Sequence, residues 1–388
     1  MSTPSTPTGR PVRRHGTSAA PSRVPRVIVL SVLAVLLFTA TFAGTVYQDF
    51  SSRLQAQSSD ISDLLGTSRP SSDESEERDP TDSWEGQDLN ILILGSDSRD
   101  EGNEEFGDFE GMRSDTAMIA HVAADRSRVE VVSIPRDLIV EIPPCPQPGG
   151  EYSYARPLGS NEHNGTRFNA AFSIGSGGSD VRHGAACAIL TIEAMTDIYI
   201  DDWAVVDMDG FRTMINAIGG VDMCIEEDID DWRAELDLKA GCQTLDGDQA
   251  LGFARVRKGI GDGSDIGRIG RQQELMGAMA EQTLSAGVLA NPSKLLPLLS
   301  SVAESLHTSE RLGNLNNLAG LAYSLRNLDS EDIHFLTPPL GYTGPVVLQT
   351  WEMDEIWENL REDEPLPKDT ETEDDAETET ENTEDSAG

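Results

Sequence analysis

The chain has 388 residues, of which 68 are Asp or Glu and 29 are Lys or Arg, so its formal net charge at pH 7 is −39. This acidity argues against nucleic acid as a partner, because no segment after the N-terminus is broadly basic. The length is sufficient for one large domain, or two small ones, with additional segments.

The first 47 residues have the composition of a membrane anchor. Residues 1–26 contain five arginines and no acidic residue, and residues 27–47 follow with 21 positions that carry no charge. About 20 apolar residues span a bilayer as a helix, and the positive flank stays in the cytoplasm. We therefore predict a cytoplasmic stub, a single transmembrane helix and an extracellular remainder, which places the protein in the cell membrane. A cleaved signal peptide is the alternative, since small residues occur at Ala40, Ala43 and Gly44.

Composition also divides the rest of the chain. Residues 48–88 are rich in Ser, Asp and Glu, which is typical of a disordered linker. Residues 89–340 contain regular apolar patterns and are predicted to form the folded extracellular domain. Residues 341–388 form a C-terminal segment, and its acidic end is predicted to be a disordered tail.

Apolar patterns in the central region alternate between strands and helices. Short apolar runs predict strands at 91–94, 116–125, 129–137, 201–211, 221–229 and 332–336. Longer patterns predict helices at 185–196, 211–220, 245–257, 268–287, 293–306 and 314–327. The Pro- and Gly-rich stretch 143–184 is predicted to be a long loop. This alternation indicates an α/β fold in which helices cover at least one sheet.

The four cysteines all lie on the predicted extracellular side, where disulfides persist: Cys145, Cys187, Cys224 and Cys242. Four cysteines allow three pairings, and their order in the chain suggests Cys145–Cys187 and Cys224–Cys242. A zinc site is the alternative, but the sequence has no C-x-x-C spacing and no suitable histidine nearby.

Three short motifs each pair an arginine with an aspartate beside a predicted strand: GSDSR at 95–99, MRSDT at 112–116 and SIPRD at 133–137. A fourth stretch, 255–271, has five cationic residues and two acidic ones although the chain as a whole is acidic. Surface salt bridges around a sheet are one explanation for such pairs. The other is a bound pyrophosphate with a divalent metal, because guanidinium groups bind phosphate oxygens and carboxylates hold Mg²⁺.

Six motifs in a fixed order give the chain a family resemblance. LGSDSR, RSDT, SIPRD, RFNAAFSIGS, ARVR and DIGRIGRQQ, behind one N-terminal anchor, resemble the LytR-CpsA-Psr family over roughly residues 89–290. The resemblance implies an α/β/α sandwich with a central mixed sheet, preceded by one transmembrane helix, and a hydrophobic tunnel for a polyprenyl chain. It also implies a transferase that requires Mg²⁺ or Mn²⁺. Such an enzyme moves a glycopolymer from a polyprenyl-pyrophosphate carrier to a sugar hydroxyl of peptidoglycan and forms a phosphodiester bond.

Matching the family motifs to this chain assigns roles to individual residues. The implied metal ligands are Asp97 and Asp115. The implied substrate contacts are Arg99, Arg113, Arg255, Arg257, Arg268 and Gln272, and Asn169 matches a further motif position. The implied catalytic residues are Arg136, which also contacts the pyrophosphate, Asp115 and Asp265. Either of these two carboxylates is a candidate for the general base that accepts the proton of the sugar hydroxyl.

Two other functions are compatible with the same residues. A hydrolase that cleaves the pyrophosphate of the lipid carrier would use all of them. A non-enzymatic envelope regulator that binds lipid-linked glycans is the other possibility, although the 26-residue cytoplasmic stub is small for a signalling element. The sequence leaves the polymer open among teichoic acid, capsular polysaccharide, arabinogalactan and others.

Overall fold

A computed structural model describes residues 24–67, 69–70, 86–96, 112–158, 165–256, 265–284, 306–343 and 346–367. The chain divides into two compact units, Met1–Asp49 and Phe50–Gly388. The predicted anchor falls within the first helix, Val24–Gln57. Among the described residues, the structure contains no helix that combines the length and the apolarity needed to cross a bilayer.

The described residues form fifteen strands: β1 Ser58–Ser59, β2 Leu89–Ser96, β3 Ser114–Val122, β4 Val129–Ser133, β5 Ile139–Val140, β6 Thr166–Arg167, β7 Asp202–Asp207, β8 Val221–Ile225, β9 Ile229–Asp231, β10 Leu236–Leu238, β11 Gly241–Leu245, β12 Leu306–Ser309, β13 Ile333–Leu336, β14 Leu340–Thr343 and β15 Val346–Gln349. The helices in the same ranges are α1 Val24–Gln57, α2 Ser62–Leu65, α3 Asn169–Ser176, α4 Val181–Thr196, α5 Met208–Ile218, α6 Gly247–Arg255, α7 Asp265–Leu284, α8 Leu315–Ser324 and α9 Trp351–Arg361.

Seven strands form the central sheet, in the order β1-β12-β7-β2-β3-β4-β13. Strand β2 pairs antiparallel with β3 and parallel with β7, and β4 pairs antiparallel with β3 and parallel with β13. The predicted mixed sheet is therefore confirmed. Each predicted strand of the sheet is a short apolar run, because strands buried on both faces have little room for polar side chains.

Helices cover both faces of the sheet. On one face Leu92 and Leu94 belong to a core that also contains Phe172 of α3, Ile189 of α4 and Trp357 of α9. On the other face, the side chains of β2 that alternate with these meet helices α7 and α8. This alternation follows from the two-residue period of a strand. The result is the three-layer arrangement that the sequence predicts.

The folded unit extends beyond both of the boundaries predicted at residues 89 and 340. Phe50, Leu54 and Ile61 are buried well before residue 89. At the other end α9 buries Met353, Ile356, Trp357 and Leu360 in the main core. The buried residues are apolar side chains at helical spacing. Many acidic and serine residues surround them, so the average composition of these segments is typical of disorder.

One further sequence prediction differs from the structure, and another lies almost entirely outside the described residues. The predicted loop 143–184 contains helix α3, in which Gly175 approaches α4 so closely that a Cβ there would lie 2.2 Å from the His183 carbonyl oxygen. Residues 293–305 of the predicted helix 293–306 lie outside the described residues, and Leu306 is the first residue of strand β12, which the sequence analysis did not predict. A four-residue strand is too short to show a recognisable period.

Both predicted disulfides are confirmed. Cys145–Cys187 attaches the segment after β5 to helix α4, and Cys224–Cys242 joins the paired strands β8 and β11. The described residues contain no free cysteine. Two structural disulfides are expected for a domain that folds in an oxidising compartment.

Helix α6 begins with a capping box, and this feature gives the first testable prediction. The Asp246 side chain accepts a hydrogen bond from the Gln249 backbone N–H at 2.9 Å, while the Gln249 side chain accepts from the Asp246 N–H at 3.1 Å. Replacing Asp246 by alanine should therefore lower the free energy of unfolding by about 1 kcal/mol. Urea denaturation monitored by circular dichroism measures this loss. An unchanged midpoint would show that the cap contributes nothing.

Candidate active site

The three arginine–aspartate motifs begin or end strands that meet at one edge of the sheet. Strand β2 ends at Ser96, which is paired with Ser114 at the start of β3 and with Asp207 at the end of β7. Strand β4 ends at Ser133, which is paired with Met118 of β3. This edge holds the carboxyl ends of β2, β4 and β7. Ligands in open α/β folds bind at such carboxyl ends.

Arg136 is the centre of the contacts at this edge. Its Nη1 donates to Oδ1 of Asp115 at 2.6 Å, and its Nε lies 3.6 Å from Oδ2 of Asp137. The Arg136 carbonyl accepts a hydrogen bond from the Asn169 backbone N–H at 3.1 Å. The RSDT, SIPRD and RFNA motifs therefore meet although they are distant in sequence. The exposed fractions of the two side chains, 16% for Arg136 and 39% for Asp115, leave this pair accessible to a ligand.

Helix α7 supplies a second wall through three consecutive side chains. Arg271 Nη2 donates to the Val256 carbonyl at 2.6 Å, and Gln272 Nε2 donates to the Ala254 carbonyl at 3.2 Å. Gln273 Nε2 donates to Ser133 Oγ at 2.9 Å. The helix is thus fastened both to the end of α6, which carries Arg255, and to the end of β4, three residues before Arg136. Arg268, one turn before Gln272, is buried with only 4% of its surface exposed.

The structure describes only some of the predicted site residues. It brings together Asp115, Arg136 and Asn169, and it places Arg255, Arg268 and Gln272 on the adjoining α6–α7 wall. Arg113 is exposed immediately before β3. Asp265 is the first residue of α7, and its backbone alone is described. Asp97, Arg99 and Arg257 lie outside the described residues.

The sequence analysis gave no individual role to four residues that the structure places in the site: Ser133, Asp137, Arg271 and Gln273. All four lie inside motifs that the sequence analysis quotes, SIPRD and DIGRIGRQQ. The motif identified the segment but gave no sign of which side chains face the substrate and which fasten the two walls together.

Apolar side chains on the α7 face of the sheet are only partly buried. Ile91 and Ile93 of β2, Ile333 and Phe335 of β13, and Met276 of α7 pack around the buried residues Met118, Ala120 and Val131. A fully packed core would bury such side chains completely. These side chains form a partly buried apolar surface on the α7 face of the sheet.

Asp115 is a described carboxylate at this edge that could hold a divalent cation. Asp115 Oδ1 is engaged by Arg136, and its side chain is 39% exposed. Within the described ranges, no group of three or more His, Cys, Asp or Glu side chains is placed to hold a metal ion. This donor set suits Mg²⁺ when phosphate oxygens complete the coordination, because Mg²⁺ commonly binds through one or two carboxylates and a substrate phosphate.

A separate polar cavity of about 610 Å³ lies at the opposite edge, beside the amino ends of β2 and β7. Its lining includes Asp88, Asp201, Asp202 and Arg311. None of the motif residues lines this cavity. We therefore assign the chemistry to the carboxyl edge, where the arginines converge.

The cavity contains a carboxyl group with a shifted pKa. Burial raises the pKa of Asp201 from its ordinary value of 3.8 to about 6, although the Asn90 N–H and Arg311 oppose this. The folded state therefore holds the Asp201 proton up to a higher pH than the unfolded chain does. The raised pKa of Asp201 therefore contributes to the free energy of unfolding. This contribution is fully present below pH 4 and is lost as the pH rises through 6.

Replacing Asp201 by asparagine should remove this pH dependence. At pH 7 the variant should be more stable than the wild type, by up to about 3 kcal/mol, and near pH 4 the two should be similar. Urea denaturation from pH 4.5 to 7.5 measures the difference, and Asp230→Asn, an exposed position, controls for the lost charge. Parallel pH profiles for Asp201→Asn and the wild type would contradict this prediction.

Comparison with known proteins decides the family. A model of the LytR_cpsA_psr family matches residues 50–362. The chain belongs to this family. The matched range agrees with the boundaries of the folded unit, which begin at Phe50 and include α9. The described residues of the RSDT and SIPRD motifs lie at the carboxyl edge of the sheet, and those of ARVR and DIGRIGRQQ lie on the adjoining α6–α7 wall.

Individual relatives support the same family. "Probable cell wall biosynthesis protein LcpB" of Corynebacterium glutamicum is 33% identical over 245 residues, which cover 61% of this chain and 52% of LcpB. "Polyisoprenyl-teichoic acid--peptidoglycan teichoic acid transferase TagV" of Bacillus subtilis is 29% identical over 206 residues, 52% of this chain and 46% of TagV. The chain thus spans about half the length of these curated relatives. The crystal structure of B. subtilis TagV has a TM-score of 0.52 and 26% identity, and covers 73% of this chain and 100% of that one.

Proposed function

We propose that this LytR-CpsA-Psr protein is a phosphotransferase that moves a glycopolymer from a polyprenyl-pyrophosphate carrier to a peptidoglycan sugar hydroxyl. The contact between Arg136 and Asp115 carries the proposal, because it joins a phosphate-binding cation to a candidate base at the carboxyl edge. The transferase name of TagV and the cell-wall name of LcpB support the substrate class. The partly buried apolar face beside α7 would hold the prenyl chain.

The reaction needs positive charge around the phosphate and a proton acceptor. The sugar hydroxyl oxygen attacks the phosphorus that bears the glycopolymer, and the bond from this phosphorus to the bridging oxygen breaks. Polyprenyl phosphate leaves with the bridging oxygen, and the hydroxyl proton passes to a carboxylate, for which we propose Asp115 or Asp265. Arg136, Arg255 and Arg268 stabilise the negative charge that develops on the phosphate oxygens. We assign Arg99, Arg113, Arg257 and Gln272 to binding of the same head group.

We further propose a requirement for Mg²⁺ or Mn²⁺ held by Asp97 and Asp115. Such a cation would neutralise charge on the pyrophosphate while it is bound. Of these two ligands, Asp115 is described and lies beside Arg136, where a pyrophosphate would have to sit to meet the guanidinium.

We also propose that residues 27–47 anchor the protein in the cell membrane with the N-terminus in the cytoplasm. The uncharged run and the five arginines before it support this orientation. The two disulfides support an extracellular location for the folded unit. An extracellular domain tied to the bilayer would reach both a membrane lipid and the cell wall.

Incubation of the full-length protein with a lipid-linked glycopolymer and peptidoglycan tests the proposal. We expect peptidoglycan that carries the polymer through a phosphodiester, detectable by mass spectrometry after muramidase digestion. Release of phosphorylated glycan without attachment to peptidoglycan would show that the protein is a hydrolase. Lipid binding with neither product would show a binding protein.

A further inference from the structure

The segment between β5 and β6 forms a hairpin whose second strand is largely exposed. Antiparallel bridges join Ile142 to Arg156 and Pro146 to Tyr152, and the Ser153 N–H donates to the Cys145 carbonyl at 2.8 Å. We define residues 142–156 as the tyrosine hairpin. Two of its side chains are unusually exposed for their size, since Tyr152 is 61% and Tyr154 is 92% accessible to solvent.

The tyrosine hairpin is fastened to the domain beneath it. Cys145 forms a disulfide with Cys187 of α4. Gln147 Nε2 donates to the Ile174 carbonyl of α3 at 2.9 Å. Ser153 Oγ accepts a hydrogen bond from the Cys145 N–H at 3.0 Å. The Ser153 side chain, which lies between the two tyrosines in sequence, is therefore on the same face of the hairpin as Cys145. Alternate residues of an extended segment point to opposite faces, which puts Tyr152 and Tyr154 together on the outer face.

The hairpin is continuous with the site. Strand β5, two residues before Ile142, pairs with β6 through Ile139 and Arg167. Arg167 Nε lies 3.4 Å from Oδ1 of Asp137, the neighbour of Arg136. Arg156, exposed at the inner end of the hairpin, is two residues from Tyr154. A cation and two aromatic residues thus follow one another along this strand, with Arg156 at the end nearest to β5, at spacings of about 6–7 Å.

From this arrangement we infer that the tyrosine hairpin binds the glycan strand of the peptidoglycan acceptor, an inference that rests on the proposed transferase function. Exposed tyrosines on a rigid support present an apolar ring with a hydroxyl at its edge, which matches a sugar ring with its C–H face and hydroxyl groups. Arg156 can pair with a carboxylate on the strand.

The position of the hairpin favours the acceptor, rather than the lipid-linked donor, as the substrate that it binds. The hairpin is attached to α3 and α4, which cover one face of the sheet, whereas the apolar face for the prenyl chain is beside α7. The attacking and leaving oxygens lie roughly in line across the phosphorus. If the lipid phosphate leaves on the α7 side, in-line attack brings the acceptor hydroxyl from the opposite side, on which the hairpin lies.

The test compares the full-length wild type with the double variant Tyr152→Ser/Tyr154→Ser and with Arg156→Gln. Transfer is measured against the concentration of soluble peptidoglycan glycan strands. We expect the acceptor KM of the double variant to rise about tenfold with little change in kcat. Arg156→Gln should raise the acceptor KM less, and cleavage of the lipid-linked donor by water should be unaffected in both variants. Tyr323→Ser, at an exposed tyrosine on α8, is the matched control.

Three outcomes would overturn the inference. They are an unchanged acceptor KM, a raised donor KM, and a lower melting temperature that accounts for the loss. If the wild type cleaves the donor without transferring the glycopolymer, the proposed transferase function is wrong, and this result does not test the role of the hairpin. Binding of the same glycan strands to wild type and double variant, measured by calorimetry, then decides the inference, and equal affinities would contradict it.

Discussion

Replacing Arg136 by alanine should lower the rate of glycopolymer transfer about 100- to 1000-fold, the usual effect of removing one group that stabilises developing charge. Arg136 connects two other motifs, because its side chain binds Asp115 and its carbonyl accepts a hydrogen bond from the Asn169 N–H. Arg136→Lys keeps the charge but loses the forked geometry, so it should recover only part of the activity.

Two controls separate this effect from a folding defect. The Arg136→Ala protein should melt within a few degrees of the wild type, because the ion pair with Asp115 is partly exposed and contributes little to stability. Arg326→Ala, an arginine stacked on Tyr323 in the α8 region, should transfer normally. Retention of more than a tenth of wild-type activity by Arg136→Ala would contradict a role at the phosphate.

The second large effect concerns stability. Replacing Cys145 and Cys187 together by alanine should lower the free energy of unfolding by about 4 kcal/mol according to the loop-entropy relation. The disulfide spans 42 positions and holds the tyrosine hairpin on α4. Urea denaturation under non-reducing conditions, with circular dichroism as the probe, measures the loss.

The other disulfide provides a matched control. Cys224–Cys242 spans 18 positions, so its removal should cost about 3 kcal/mol by the same relation. It lies outside the tyrosine hairpin, and its loss should leave the acceptor KM unchanged. If removing Cys145–Cys187 altered neither stability nor the acceptor KM, the hairpin would not depend on this anchor.

Much of the fold could be predicted from local patterns. Five of the seven strands of the central sheet, β2, β3, β4, β7 and β13, contain the short apolar runs that predict them, and helices such as α7 have a clear amphipathic period over 20 residues. The ends of the folded unit could not be predicted in this way. Leu54 and Trp357 are buried by contacts with distant parts of the chain, and the acidic segments around them give a composition typical of disorder.

The site was predictable in its segments but not in its contacts. The motifs identified Arg136 and Asp115 separately, because arginine and aspartate beside a strand end suit a phosphate and a metal. That the two side chains touch depends on the register between β3 and β4, which no local pattern gives. For the same reason Gln272, expected to contact substrate, was not expected to donate to the Ala254 carbonyl.

A crystal structure of the folded unit, Phe50–Gly388, with a polyprenyl-pyrophosphate analogue and Mg²⁺ tests the central claim most directly. We predict phosphate oxygens within hydrogen-bonding distance of the Arg136 and Arg268 guanidinium groups, and a prenyl chain along the apolar face beside α7. A pyrophosphate bound in the cavity that Asp201 lines, or a head group that contacts neither arginine, would contradict the account.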